Sequence, residues 1–144
     1  MEKPMDQQGA LALITRYYDA FNANDGAGDA EGMLACLADD VAHDINQGGR
    51  QQGKQAFRAF LAHMDRCYAE RLEDIAIMAT PDGRRAAAEF IVHGTYKATD
   101  EGLPPATGQS YVLPAGAFFE LEGGLIRRVT VYYNLAEWLC QVGG

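Results

Sequence analysis

The chain has 144 residues, enough for one domain that buries its own core. Apolar residues make up 48% and charged residues 22%, which fits a folded globular protein and excludes a disordered one. A net charge of −8 leaves little basic surface for phosphates and argues against a nucleic-acid partner.

No apolar run approaches a membrane span, so no membrane partner is expected. Met1-Glu2-Lys3-Pro4 carries no signal-peptide core, so the expected location is the cytoplasm. Cys36, Cys67 and Cys140 are far apart and form no Cys-x-x-Cys, which predicts buried free thiols and neither a disulfide framework nor a zinc site.

Ala10, Ile14, Tyr17, Tyr18 and Phe21 recur at helical spacing and predict an amphipathic helix from about Asp6 to Asn24. Asn24-Asp25-Gly26-Ala27-Gly28-Asp29 breaks it, and Asp29 is a good N-cap for a short helix through Asp39. Val41 to Asn46 then alternates apolar and polar residues, as a strand does, with Ala42, Asp44 and Asn46 on one face and Val41, His43 and Ile45 on the other. An acid in the middle of a short strand needs solvent, a partner or a ligand. The pattern alone leaves these three open for Asp44.

After a Gly/Gln-rich turn, Phe57, Phe60, Leu61, Met64 and Tyr68 predict a third helix from Gly53 to Glu70. From Leu72 onward the pattern is that of strands. Leu72 to Met78 and Arg84 to Thr99 form a hairpin about Pro81-Asp82-Gly83, and Thr99 to Gly108 is loop. Gln109 to Glu122 and Leu125 to Leu135 form a second hairpin, and Trp138 and Leu139 follow on a tail that can cover an edge or meet a second subunit. Helices and one strand followed by four antiparallel strands make an α+β fold, in which a helix layer over a bent sheet leaves a concave mouth for a small ligand. There is no repeat, linker or low-complexity stretch, so residues 1–144 read as one domain.

His43 and His93 with Asp44 invite a metal reading, but neighbours on one strand point to opposite faces, so no metal is expected. His63 falls on the polar side of its helix and is expected to be solvated, with His43 a structural histidine on the helix-facing or outer side.

The ordered set of motifs resembles the nuclear transport factor 2-like superfamily, and in particular ketosteroid isomerases and SnoaL-like polyketide cyclases. Ile14 to Asn22 resembles the isomerases' first helix and puts the carbonyl-polarising tyrosine on Tyr17, with Tyr18 a rival about 100° round the helix. Asp39-Asp40-Val41-Ala42-His43-Asp44 resembles the segment that ends in the general base, which puts that role on Asp44 and implies that it looks into an apolar pocket that raises its pKa. Gly94-Thr95-Tyr96, the Gly102 to Gly108 loop and the Gly123-Gly124 turn resemble the cyclases.

The resemblance implies a cystatin-like cone, with about three N-terminal helices packed on a curved, mainly antiparallel mixed sheet that encloses a pocket. It also implies a hydrophobic carbonyl ligand, no cofactor and a homodimer paired through the sheet. Placing the family pattern on this chain makes Phe90, Val92, Gly94 and Tyr96 with Val129, Val131 and Tyr133 an inward wall, and Gly94 leaves room for a flat ligand. Asn46, Phe60, Gly116, Phe118 and Asn134 complete the expected substrate contacts.

Two departures separate the chain from the named activities. Gly116 stands where the isomerases carry a second acid, and Tyr132-Tyr133-Asn134 replaces the acid that ends the cyclases' last strand. Two readings follow. One is an isomerase- or cyclase-like enzyme with Asp44 as base and Tyr17 as oxyanion donor. The other is a non-catalytic small-molecule-binding or adaptor domain of the same fold.

Overall fold

A computed structural model describes residues 5–143. Met1 to Pro4, read above for a signal peptide, lie outside the described residues. Helix α1 (Gln7–Phe21) starts where Asp6 accepts a hydrogen bond from the Gly9 amide at 2.8 Å. After one 3₁₀ turn at Asn24–Gly26, Asp29 caps α2 (Ala30–Leu34) by accepting from the Gly32 amide at 3.0 Å, as its sequence position predicts. Strands β1 (Leu37–Asp44) and β2 (Arg50–Gln52) follow, then α3 (Lys54–Cys67). Strands β3 (Tyr68–Ala79), β4 (Arg85–Tyr96), β5 (Ser110–Glu122) and β6 (Leu125–Tyr133) and helix α4 (Leu135–Gly143) complete the chain.

Several elements differ from the expectations, among them β2, a short strand where a Gly/Gln-rich turn was expected. The second helix ends at Leu34, because Leu37 and Ala38 are already taken into β1. The third ends at Cys67 and not near Glu70, so Tyr68, Glu70 and Leu72 belong to a strand and alternate with Ala69 and Arg71. The tail is a helix, and its Trp138 packs against the rings of Tyr68, Tyr96 and Tyr111.

The strands form a single sheet in the order β2-β1-β6-β5-β4-β3, antiparallel except where β1 runs parallel to β6. The register shifts in β1, in β3 between Glu73 and Ala76, and in β5 between Glu120 and Leu121, and shifts of this kind bend strands and raise their twist. Asp74, with φ +54°, sits in the β3 bulge. At that edge Asn22 acts as a substitute strand residue, giving its side-chain N–H to the Leu72 carbonyl and accepting from the Leu72 amide, both at 2.9 Å. The end of α1 is thereby fixed to β3.

Leu13, Ile14, Leu34, Leu37, Phe119, Ile126 and Val129 are fully or almost fully buried between α1, α2 and the inner face of the sheet. No described helix is long and apolar enough to cross a membrane. Cys36 and Cys67 are buried free thiols as expected, whereas Cys140 is exposed.

Candidate functional site

A cavity of about 430 Å³ lies between α1, α3 and the concave face of the sheet, within the size range of small-molecule sites. Most of its wall is aromatic or aliphatic. Tyr17 and Tyr18 both line it, so the choice between them falls away. Their rings meet edge to face at 5.1 Å, and Tyr18 leans on Phe90 at 5.3 Å. Among the described residues neither phenol has a protein partner, and burial pushes both pKa values up, so both remain protonated donors. Asn46, Phe60, Phe90, Val92, Val131 and Tyr133 line the cavity.

Asp44 does not. The inward row of β1 is Val41 and His43, so Asp44 takes the face opposite to the one expected, and past the strand end both Ile45 and Asn46 reach the cavity wall. On the outer face, Arg50 grips the Asp44 carboxylate with two hydrogen bonds of 2.7 and 3.0 Å, and Thr130 donates to it at 2.6 Å. Arg50 and Thr130 are its direct partners on the flanking strands. These bonds hold its pKa down to about 2, the reverse of the upward shift expected from an apolar pocket.

Four more expected contacts lie elsewhere. Leu113, Ala115, Ala117 and Phe119 make up the inward row of β5, which leaves Gly116 and Phe118 facing outward. Phe118 packs there on Tyr132 at 5.8 Å. Tyr96 is wholly buried and ties down the loop, donating to the Pro104 carbonyl at 2.7 Å and accepting from the Asp100 amide at 2.9 Å. Asn134 caps α4 by accepting from the Glu137 amide at 3.1 Å.

Two carboxylates that sequence reading missed enter the cavity instead. Glu70 comes from the start of β3. Its neighbours across the sheet are Gly94 and, beyond it, Tyr111. A Cβ on Gly94 would lie 2.2 Å from the Tyr111 ring, so the missing side chain lets that ring cross the strand. The Tyr111 hydroxyl then donates to Glu70 Oε2 at 2.6 Å. The space at Gly94 is thus filled by the protein's own phenol and not by a ligand. Burial raises the Glu70 pKa and outweighs the lowering effect of the Tyr111 hydrogen bond. Among the described residues, Oε1 has no hydrogen-bonded partner.

Asp100, on the β4–β5 loop, accepts from Tyr68 at 2.7 Å and from His63 Nε2 at 2.9 Å. His63 therefore belongs to the cavity wall and is not free in solvent. His63, Cys67 and Asp100 each bring one possible ligand atom within 4.8 Å of the others. Arg66, however, lies 3.3 Å from His63 Nδ1 and can only donate, so the ring's proton sits on Nε2 and points at Asp100. That arrangement suits a hydrogen-bonded latch between loop and helix better than a metal centre.

His43 lies between Phe57 and Phe60, with ring centroids 4.5 and 4.6 Å away, and Nδ1 has no partner. Burial lowers its pKa to about 4, so it is neutral at physiological pH.

The fold has counterparts among known proteins. A "putative polyketide cyclase" of Pseudomonas putida KT2440 is 59% identical, with a TM-score of 0.89 over 92% of this chain and 97% of its own. A protein of the same description from Silicibacter sp. TM1040 is 58% identical, with a TM-score of 0.91 over 97% and 99% of the two chains. A phenazine biosynthesis-related protein of Pseudomonas aeruginosa shares the fold alone, with 17% identity and a TM-score of 0.77 over 94% of this chain and 86% of its own. No curated protein matches at a significant level. A model of the SnoaL-like domain matches residues 14–129, and the chain belongs to that family.

Proposed function

We propose that the protein catalyses cofactor-independent proton transfer next to the carbonyl of a hydrophobic, steroid- or polyketide-like small molecule. The observation that carries this reading is Glu70. It is a carboxylate of raised pKa, held by one phenol through Oε2, with Oε1 left for a substrate proton in an otherwise greasy cavity. Tyr17 and Tyr18 supply hydrogen bonds to the oxygen of the developing enolate. Glu70 takes the proton from the carbon beside the carbonyl and returns it to another carbon or to the same one. The charge moves from carboxylate to enolate and back, and no redox partner is needed.

The description of relatives at 58–59% identity as polyketide cyclases supports the same class of chemistry. The base moves from Asp44 to Glu70 because Arg50 and Thr130 occupy the Asp44 carboxylate on the opposite face.

Turnover of a 3-keto-5-ene steroid, followed by the absorbance of the conjugated product, tests the proposal. Glu70→Gln is expected to lower the rate ~10²–10⁴-fold, and Tyr17→Phe or Tyr18→Phe up to ~10²–10³-fold. Binding of such ketones by the wild type, without turnover above buffer, would make this a non-catalytic ligand-binding domain of the same fold.

A further inference from the structure

We infer that the cavity selects uncharged ligands that donate a hydrogen bond, and turns anions away, through Glu70 and Asp100. The inference rests on the cavity assigned above and concerns what that cavity admits, not whether it turns over what it holds.

Both acids line the cavity, and among the described residues no lysine or arginine does. Arg66 stands 3.3 Å from His63 Nδ1, on the side of the ring away from Asp100. His43 contributes no positive charge at neutral pH. Tyr133, also on the wall, is pushed up in pKa by burial and by the charges of Glu70 and Asp100.

A carboxylate or phosphate brought there would meet the carboxylates of Glu70 and Asp100 in a poorly solvated space with no lysine or arginine on its wall. A hydroxyl brought there would meet the unpartnered Oε1 of Glu70, and hydrogen bonds to charged acceptors are the stronger kind. The wall's other unpartnered polar groups include the phenols of Tyr17 and Tyr18 and Nδ2 of Asn46, donors suited to a ligand carbonyl. The complement of this wall is a flat, apolar ketone that carries a hydroxyl and no negative charge.

Calorimetric binding of three probes of one shape tests this at pH 6.5, where a naphthol is uncharged. The probes are 6-hydroxy-2-acetylnaphthalene, its 6-methoxy ether and 6-acetyl-2-naphthoate. The hydroxy ketone is expected to bind at least ~10-fold more tightly than the ether, the value of one hydrogen bond to a charged acceptor, with the carboxylate weakest. Glu70→Gln and Asp100→Asn, each close to isosteric, are expected to narrow both gaps several-fold.

Equal or tighter binding of the carboxylate to the wild type would overturn the inference, as would gaps unchanged in both variants. Failure of all three probes to bind would overturn it together with the cavity assignment. The expected order of binding without turnover of any ketone would leave this inference standing and remove the catalytic proposal.

Discussion

Glu70 is held in a state that costs the fold something. Its pKa is raised, so between the ordinary glutamate value and the raised one the folded protein binds more protons than the unfolded chain. Stability must fall as pH rises through that window, and the loss persists above it. Glu70→Gln keeps an acceptor for Tyr111 without the charge. The variant is expected to be more stable than the wild type at neutral pH, with the difference vanishing in acid, as denaturant titrations at several pH values would show. Equal stability at neutral pH would mean the carboxylate is better solvated than its surroundings indicate.

Asp44 behaves in the opposite sense. Its pKa is depressed to about 2, so its contribution is present above the ordinary aspartate value and fades as pH falls toward 2. The Asp44–Arg50 pair is washed by solvent. Asp44→Asn should therefore cost less than about 1 kcal/mol at neutral pH, and should leave ketone binding within experimental error.

At the scale of elements, the site depends on three neighbouring strands in register. Glu70, Gly94 and Tyr111 lie side by side across β3, β4 and β5, and the gap at Gly94 joins the outer two. Gly94→Ala forces the Tyr111 ring aside in a packed interior, at a typical cost of about 1–3 kcal/mol. It also removes the hydrogen bond that pulls the Glu70 pKa down. The acid limb of the pH–rate profile is thus expected to move to higher pH. An unshifted limb would show that Tyr111 does not govern the carboxylate.

Gly94 was legible in the sequence as an inward gap, but its occupant was not, because Tyr111 is distant in the chain and only strand register makes them neighbours. Glu70 was obscured by the end of α3. The helical row Phe57, Phe60, Leu61, Met64 and Tyr68 runs smoothly into it, and the competing signal was only the short alternation Tyr68, Glu70, Leu72. The two faces of β1 were indistinguishable by periodicity. What decides between them is the position of Arg50 and Thr130 on flanking strands, which lies outside any local pattern.

For the molecule as a whole, the layer order, the two hairpins and the cavity between helices and sheet could all be anticipated. Long periodic segments report on themselves, whereas pocket occupancy depends on contacts between distant ones. The outer face of the sheet remains apolar in places: Val112, Phe118 and Tyr132 are 50%, 48% and 57% exposed. We propose that this face pairs two copies of the chain, with Phe118 and Tyr132 near the middle of the contact. Sedimentation should then give twice the chain mass for the wild type and a lighter species for Phe118→Glu with Tyr132→Glu. A wild-type monomer at micromolar concentration would contradict the pairing.

The central claim is that a cavity carboxylate on β3 does the chemistry. Steady-state turnover of a β,γ-unsaturated ketone by wild type and Glu70→Gln, with ketone affinity measured alongside, tests it most directly. The account predicts that turnover falls ~10²–10⁴-fold while affinity for the ketone changes far less. Undiminished turnover in the glutamine variant would contradict it.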